Sequence, residues 1–526
     1  MEEGTVKFSR INENTEERRS LDVLPDELIL KIFSLLPMFD ESLATSFISK
    51  RWEDSQKALV PDVTLDDERL VLLTSFVYPS LLSNDPQALE RLHLKLSRKY
   101  SASDFNFLVQ VAVNRSLRKL VIDLCRGTLE LPICLSTCTT LKSLILSEVS
   151  INVIPRGFCM PSLKSLHLFV VTFSGNESVA TLLRTCPDLE YLVLNQTTVD
   201  STWVRSSSLK RVLFLSVGQW EESNITSLLR ICPVLEYMVV DQTKCYNSIF
   251  RVAPSTLLLK SLKSLHLFSV RFYSGESVER LLGSCKALED LVIIRATYKD
   301  VKIFNINVPT LKSLSIENSR GKRAYVKESH GFVIKAPALE TLNFKDTSSN
   351  FLIFEYMPEV TKASIEAICD QSEKFIGSLT SVQHLSLCCV TSVSETPYPK
   401  GSFFFFLEHL ELCTCSAGWA NLLACILNDA PRLQSLKLKS KHSGVHYKYP
   451  MKLWIEPTVV PECLSKHLEN LEWREYEGTE EERKVAAYIL ANATCLHTVT
   501  FSGCRGNYTE LKEMQRASET CQFVFE

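Results

Sequence analysis

The chain has little of what several specialised protein classes require. Sixteen Gly and 20 Pro in 526 residues exclude a collagen-like or low-complexity chain. The formal charge of −3 offers no basic surface for a nucleic acid. Purely apolar runs such as residues 403–407 are far below the ~18 residues of a membrane span, and residues 1–20 contain no apolar signal-peptide segment. We therefore expect neither a membrane nor a nucleic-acid partner, and a location in the nucleus, the cytoplasm or both.

Motifs for catalysis and metal binding are also missing from the sequence. It contains no nucleophile elbow, phosphate-binding loop or HExxH motif, so we expect no catalytic residue and no cofactor. The 18 Cys are too sparse for a disulfide-stapled scaffold, and we expect free thiols. The pairs Cys388-Cys389 and Cys413-x-Cys415 do not have the two-plus-two spacing of a zinc site, so no metal is predicted.

One apolar pattern, L-x-x-L-x-L with Val, Ile or Phe tolerated, recurs through most of the chain. It begins sixteen times at a mean spacing of about 27 residues, within the range of leucine-rich repeats. Each copy predicts a short strand, and segments between copies, such as 179–186, have helical apolar spacing. A single strand–helix unit cannot bury its own apolar side, so the units should stack as a solenoid with a parallel sheet on its concave face. The copies begin at Leu89, Leu117, Leu141, Leu163, Leu189, Leu209, Leu235, Leu262, Leu288, Leu311, Leu339, Val382, Leu407, Leu433, Leu468 and Leu496.

Several cysteines share one position in this repeat, three residues before the first Leu, and alanines stand at the same position in other copies. We interpret them as small apolar side chains packed where a helix turns into a strand, rather than as metal or redox sites. The seven residues are Cys138, Cys186, Cys232, Cys285, Ala336, Ala430 and Ala493.

The N-terminal residues do not follow the repeat. Residues 24–37 predict an amphipathic helix that starts with Pro25 in its first turn and ends at Pro37. A second helix is predicted after Asp40. About forty residues with this much apolar surface rarely fold unaided, so the module should pack against another protein or the first repeat. Pattern alone would favour a plain N-terminal cap on the solenoid.

The ordered motif Leu24-Pro-Asp-Glu-Leu28, then Ile32, Leu35-Leu-Pro37 and Ser49-Lys-Arg-Trp52, resembles an F-box, particularly the plant form. The resemblance implies docking on a Skp-type adaptor and, through it, on a cullin. One departure is that residues 53–57 separate Trp52 from the Leu-Val-Pro run that ends at Pro61. The residues that the resemblance assigns to the adaptor contact are Leu24, Pro25, Leu28, Ile32, Leu35, Leu36 and Trp52.

The C-terminal residues resemble the FBD domain that accompanies F-boxes and leucine-rich repeats in one large plant family. Thr479 and Glu482 have capping-box spacing for a helix with an apolar face, Asn492 could end that helix in a left-handed turn, and a strand follows. We expect this strand–helix–strand segment to close the sheet edge. The acidic run 480–482 is interpreted as a solvated helix N-terminus.

These assignments divide the chain into four parts and predict an α/β fold. Residues 1–19 are a disordered tail and residues 20–65 a small all-α F-box. Residues 66–455 are the leucine-rich-repeat solenoid, and residues 456–526 are the FBD region and C-terminal repeat cap.

Strand alternation suggests where a partner could bind. If the fourth and sixth residues of each copy face the core, the third and fifth lie on the opposite, concave face. The fifth position is mostly apolar up to Val292 and polar or charged from Ser315 onward. Tyr and Arg are typical of binding hot spots. We therefore predict a partner-binding patch, the Tyr/Arg patch, although strand propensity alone could also place apolar residues there. Its members are Tyr191, Val193, Arg211, Leu213, Tyr237 and Val239.

The resemblance thus implies a non-catalytic, substrate-recognition subunit of a Skp–cullin–F-box ubiquitin ligase. The F-box would hold the adaptor and the repeats an unknown protein substrate. The alternative is a leucine-rich-repeat scaffold without cullin association. Reception of a small hormone would require a ligand pocket, which a sequence cannot show.

Overall fold

Parallel strands dominate the computed structural model, and they divide into two units. The first unit comprises residues Met1–Glu177 and Arg184–Asp188, and the second comprises Ser178–Leu183 and Leu189–Glu526. The structure describes residues 62–66, 89–96, 102–174, 177–197, 206–217, 232–244, 249–250, 259–272, 274–295, 301–318, 330–346, 349, 351–368, 373–390, 398–399, 401–416, 418–440, 454–503 and 508–526.

The first unit contains a parallel sheet with strand order β1-β2-β3-β4-β5, and β6 pairs with the end of β4. Leucines at alternate strand positions are fully buried, whereas the residues between them are mostly half-buried. A 3₁₀ helix follows β3. The elements are β1 (Asp62–Asp66), β2 (Arg91–Lys95), α1 (Ala102–Asn114), β3 (Lys119–Glu130), the 3₁₀ helix Ile133–Thr137, β4 (Ser143–Val153), β5 (Ser165–Phe169) and β6 (Thr172–Phe173).

The second unit begins with a helix, α2 (Val179–Arg184), whose last residue belongs to the first unit. Its first half consists mainly of strands, and those of the main sheet recur at about the predicted repeat distance, with further strands between some of them. They are β7 (Tyr191–Asn195), β8 (Arg211–Leu215), β9 (Tyr237–Asp241), β10 (Ile249–Phe250), β11 (Ser264–Phe268), β12 (Arg271–Phe272), β13 (Asp290–Ile294), β14 (Ile303–Asn307), β15 (Ser313–Glu317), β16 (Gly331–Lys335), β17 (Thr341–Asp346), β18 (Phe351–Glu355) and β19 (Lys362–Ile368), with helix α3 (Gly275–Ser284) before β13.

The second half of this unit returns to alternating strands and helices. Its elements are α4 (Glu373–Ile376), the 3₁₀ helix Gly377–Leu379, β20 (His384–Val390), β21 (His409–Cys413), α5 (Trp419–Asp429), β22 (Ser435–Lys439), α6 (Glu462–Lys466), β23 (Asn470–Arg474), α7 (Glu480–Asn492), β24 (Thr498–Phe501), α8 (Tyr508–Glu513) and β25 (Gln522–Phe525).

Fourteen of these strands form one all-parallel sheet in the order β7-β8-β9-β11-β13-β15-β17-β19-β20-β21-β22-β23-β24-β25. Equivalent repeat positions pair without a shift, so Tyr191, Arg211 and Tyr237 are direct neighbours on adjacent strands. The α/β repeat fold is therefore confirmed. None of the helices in the described ranges reaches the length and hydropathy of a bilayer-spanning helix.

One repeat was missed by the sequence pattern. Strand β19 fills the long gap before Val382, and its copy begins at Val360, with Ala363 where a Leu is usual. Ala363 and Ile365 are buried as the fourth and sixth positions require. The pattern requires large apolar residues, so a copy with a short side chain at the fourth position does not match it.

Strands replace the expected helices between Val301 and Glu355. β14, β16 and β18 form a second parallel sheet of three strands. Short apolar runs rich in Phe and Ile, FVI in β16 and FLIF in β18, favour strands over helices here. Phe304 lies 5.7 Å from Phe332, ring centre to ring centre, and the guanidinium of buried Arg295 lies 4.9 Å from the Phe304 ring. Here aromatic rings fill the space that a helix occupies in other copies.

Candidate functional site

The predicted partner-binding residues form two adjacent columns on β7, β8 and β9. Tyr191 pairs with Arg211 and Arg211 with Tyr237, and two residues further along the same strands Val193, Leu213 and Val239 pair in the same way. The periodicity of two residues places both columns on the sheet face opposite the buried Leu positions. The structure therefore brings the Tyr/Arg patch together in the predicted arrangement. That it binds a partner stays a prediction.

Exposure differs strongly among these residues. Arg211 is exposed, and Tyr191, Leu213 and Tyr237 are half-buried. Val193 and Val239, however, are only 3% and 5% exposed. The two valines therefore do not provide the exposed apolar surface that was expected of them. The accessible part of the patch is therefore made by Tyr191, Arg211, Leu213 and Tyr237.

A hydrogen-bond chain continues from the patch onto the next two strands. The Tyr237 hydroxyl lies 3.4 Å from His266 Nδ1, and the two rings meet edge to face at 5.3 Å. His266 Nε2 donates to Asp290 Oδ2 at 2.8 Å, which leaves Nδ1 to accept from Tyr237. Ser264 Oγ also donates to Asp290 Oδ2 at 2.8 Å. This chain restrains the Tyr237 ring at the edge of the patch.

The pKa shifts of the residues in this hydrogen-bond chain follow from their contacts. Hydrogen bonds from His266 and Ser264, opposed by partial burial, lower the pKa of Asp290. Burial raises the pKa of Tyr237, and the negative charge of Asp290 adds to the effect. At neutral pH Asp290 is therefore an anion and Tyr237 a neutral donor. This agrees with hydrogen bonds that run from Tyr237 through His266 to Asp290.

Sequence reasoning overlooked Ser264 and Asp290. Both stand at the third position of their copies, one repeat apart, and the structure pairs them directly. Since third positions of successive copies are neighbours in such a sheet, the repeat alignment contained the signal. The prediction of the Tyr/Arg patch used only the Tyr and Arg residues at that position.

A second region of the same face carries alternating charges at the fifth position. Glu411, Lys437 and Glu472 follow one another on β21, β22 and β23, and we call them the charged stripe. The Lys437 ammonium lies 3.6 Å from a carboxylate oxygen of each Glu, and about 28% of its side chain is exposed. Ser386 on β20 extends the stripe by donating to Glu411 at 3.1 Å. Each charge in the stripe thus has an opposite charge beside it.

Two histidines lie next to the stripe at the third position. The rings of His384 and His409 stack with centres 4.4 Å apart. Burial lowers the pKa of His384, and the neighbouring His409 lowers it further. The neutral form of His384 is therefore favoured in the stacked pair.

The helix predicted near the C-terminus is confirmed as α7. Thr479 and Glu482 form the expected capping box, and Val485 and Ile489 are among the buried residues of its apolar face. The expected left-handed end at Asn492 is wrong. The helix ends at Ala493 with φ of −88°, and the Asn492 amide instead donates to the Tyr488 carbonyl at 2.8 Å.

The interpretation of residues 480–482 as a solvated run holds only for Glu480, which is exposed and pairs with Lys484. Glu482 is buried within the capping box. Both carboxylate oxygens of Glu481 are buried and have no hydrogen-bond partner among the described residues. Burial, together with the charge of Glu482, raises the pKa of Glu481 to about 7.

The sheet does not end where the strand–helix–strand segment ends. β23 and β24 continue the parallel sheet, and β25 pairs with β24 beyond them. The FBD residues therefore extend the sheet rather than close its edge, and the outermost described strand at this end is β25. The expectation that they cover the edge is corrected.

The repeated cysteine position is confirmed as a packing position. All seven Cys and Ala residues at that place are buried, and Cys285, Ala430 and Ala493 each cap the C-terminus of a helix. Burial raises the pKa of Cys186 and Cys232 to about 12. Such thiols are inert.

Two findings on cysteines differ from the expectations. Cys389 is disulfide-bonded, so the expectation of free thiols is wrong at that residue. Cys388, Cys413 and Cys415 come together in space. Their spacing along the chain had suggested two unrelated pairs, because the contact runs between neighbouring copies.

The predicted adaptor-binding residues lie outside the described residues. This applies to all of them, namely Leu24, Pro25, Leu28, Ile32, Leu35, Leu36 and Trp52. Their assignment stays a prediction of the sequence.

Family comparisons match four regions of the chain. The F-box domain matches residues 21–59 and the FBD domain residues 456–501. The LRR repeats of FBD-associated F-box protein At5g56370 match residues 105–219, and a Leucine Rich Repeat matches residues 261–285. The order of these matches is that of the sequence prediction.

Individual proteins match over nearly the full length. The FBD-associated F-box protein At5g56560 of Arabidopsis thaliana is 50% identical over 97% of this chain and 100% of its own length. The F-box/FBD/LRR-repeat protein At5g56570 of the same species is 42% identical over 99% of this chain and 96% of its own. Among solved structures, an internalin from Listeria monocytogenes aligns with a TM-score of 0.31 and 13% identity, covering 79% of this chain and 88% of that one.

Proposed function

Because the chain belongs to the plant F-box proteins that combine leucine-rich repeats with an FBD domain, we propose that it is the substrate-recognition subunit of a Skp–cullin–F-box ubiquitin ligase. The F-box would bind a Skp-type adaptor, and the repeat sheet would bind a protein substrate. The proposal includes a location in the nucleus, the cytoplasm or both.

The observation that supports this division of labour is the Tyr/Arg patch. Two Tyr side chains and an Arg side chain lie in register on adjacent strands, beside a column that contains two buried valines. Rigid strands hold these side chains at low entropic cost, and Tyr and Arg are the residue types that dominate protein–protein hot spots. A surface of this kind suits a protein partner.

No chemical step is assigned to this chain. Its contribution to ubiquitin transfer would be proximity, because a substrate bound on the repeats and an adaptor bound on the F-box place a substrate lysine near the conjugating enzyme. The residues that determine the rate would then be binding residues of the F-box and of the repeat sheet.

The first experiment tests the adaptor contact. The variant Leu28→Asp with Ile32→Asp should lose co-purification of a Skp-type adaptor and a cullin, since two carboxylates would interrupt the predicted apolar stripe. Lys31→Asp adds an acidic residue off that stripe and is the matched control. Equal adaptor recovery with the double variant would contradict the ligase role and leave the scaffold alternative.

The second experiment identifies the substrate. The same double variant cannot deliver bound proteins for degradation, so proteins that it retains in plant cells, and the parent chain does not, are candidate substrates. Accumulation of those proteins when the proteasome is inhibited is the expected result. Retained proteins whose levels and ubiquitination never depend on this chain would instead favour a scaffold.

A further inference from the structure

Three cysteine side chains meet beside the charged stripe, at the ends of two neighbouring strands. Cys388 lies in β20, Cys413 is the last residue of β21, and Cys415 follows two residues later, before α5. Their Sγ atoms all lie within 4.8 Å of one another, and Cys388 Sγ is 3.6 Å from Cys415 Sγ. Cys388 and Cys413 are 0% and 2% exposed, and Cys415 is half-buried.

The parallel register explains how residues of two copies come together. Leu387 of β20 pairs with Leu412 of β21, so Cys388 and Cys413 each follow a paired residue. The backbone N–H of Thr414 donates to the Lys439 carbonyl at 3.1 Å, which keeps the chain along the sheet after β21 ends. The Cys-x-Cys spacing then places Cys415 on the same side as Cys413.

The sulfur separations suit a single thiolate-bound ion. With a Zn–S bond of about 2.3 Å, sulfurs around one zinc are about 3.8 Å apart in a tetrahedral arrangement. The observed 3.6 Å between Cys388 and Cys415 is close to that value, and the upper limit of 4.8 Å for the remaining pairs requires only small side-chain rotations. A disulfide could use just two of the three thiols and would bring its sulfurs to about 2.05 Å.

We propose that Cys388, Cys413 and Cys415 bind one zinc ion through three thiolates, with an exchangeable fourth ligand on the half-buried side of Cys415. Each thiol releases its proton to solvent when the ion binds. The ion would tie β20 to the segment between β21 and α5, and would thus join two consecutive copies next to the charged stripe. The fourth position distinguishes this site from a closed structural Cys₄ site.

Cobalt substitution tests the proposal directly. The purified full-length chain, reduced and freed of metal, is titrated with Co²⁺ under anaerobic conditions, and the thiolate-to-cobalt charge-transfer band is recorded. We expect one Co²⁺ per chain, displacement of the band by one equivalent of Zn²⁺, and a rise in thermal midpoint on adding Zn²⁺.

Substitutions separate this site from adventitious thiol binding. Cys415→Ser removes a half-buried ligand and should weaken Co²⁺ binding by about a hundredfold and abolish the Zn²⁺-dependent thermal shift. Cys425→Ser changes an exposed thiol in α5 and should do neither. Circular dichroism shows whether each variant is folded. The absence of a saturable charge-transfer band, or equal binding by the parent chain and a folded Cys415→Ser variant, would overturn the proposal.

Discussion

The Tyr/Arg patch and the charged stripe occupy the same face of the same parallel sheet, yet their chemistry differs completely. Both use the fifth position of successive copies and the same strand register. In the patch this position holds Val193, Leu213 and Val239, and in the stripe it holds charges that neutralise one another. The backbone is therefore a common frame, and the side chains at one repeat position decide what each part of the face can bind.

The two regions also differ in the ion pairs that a ligand would have to displace. Lys437 has two carboxylate partners within the chain, so a ligand there would compete with existing ion pairs. In the patch, Arg211 is exposed and projects from a surface of Tyr rings and Leu213. We expect a partner to gain most of its binding free energy in the patch.

The largest expected effect is on substrate capture by the patch. Tyr191→Ala combined with Tyr237→Ala should weaken binding by about 3 kcal/mol, roughly a hundredfold, because two rings at the centre of the contact are lost. Capture by the F-box-disabled chain, quantified by mass spectrometry, measures this. The control is Ser315→Ala with Asn343→Ala, which truncates two fifth-position side chains further along the sheet. If a folded Tyr double variant captures as well as the control, the patch is not the contact.

A smaller effect is expected from the hydrogen-bond chain that restrains Tyr237. Asp290→Asn removes the ionised acceptor of the Ser264 and His266 hydrogen bonds, and should lower stability by about 1 kcal/mol and capture about threefold. Denaturant midpoints and the capture assay measure the two quantities. Unchanged substrate capture alongside reduced stability would mean that these hydrogen bonds stabilise the fold but do not determine the position of Tyr237.

In the stripe, the expected effect is on stability and not on capture. Lys437→Met leaves Glu411 and Glu472 without their shared counter-ion and should cost about 1 kcal/mol at low salt, less at high salt. Urea midpoints at two ionic strengths give the difference. A marked loss of capture by this variant would place the partner on the stripe and break the contrast between the two regions.

The smallest effect concerns a carboxylate that lacks the partners of the stripe. Burial raises the pKa of Glu481 to about 7 from 4.5, so the folded state holds a proton that the unfolded state releases between these pH values. Stability should therefore fall as pH rises from 4.5 to 7. Glu481→Gln should flatten this slope and stabilise the chain at pH 8 by up to about 1 kcal/mol, since Glu481 is partly exposed. Parallel stability curves for the two chains across this range would contradict the assignment.

The sequence predicted most of the fold because each copy repeats a local rule. Leu at alternate strand positions, and Cys or Ala at the helix end, occur often enough to define the register before any coordinates are known. The copy at Val360 escaped because Ala363 weakens the pattern, although the sheet places it in order. The three-stranded sheet β14-β16-β18 was not predicted, because the strand–helix repeat places a helix between successive strands.

In the candidate sites, too, repeat positions predict some features and not others. The members of the Tyr/Arg patch could be named from repeat positions, because one position on adjacent strands is one neighbourhood. The burial of Val193 and Val239 could not, since exposure depends on what packs around a residue. The F-box contact and the domain boundaries at residues 65 and 455 stay predictions. Residues 20–61 lie outside the described part of the chain, whereas residues 62–65 lie in β1.

The amino-acid sequence by itself determined the repeat, the parallel register and the family, because all three depend on periodic apolar residues and on ordered motifs along the chain. Tertiary structure alone decided which side chains from different copies touch. The convergence of Cys388 with Cys413 and Cys415, the bonds of Asp290 to Ser264 and His266, and the burial of the Glu481 carboxylate are of this kind. Periodicity specifies on which face a residue lies, whereas distances between side chains and their access to water depend on packing in three dimensions.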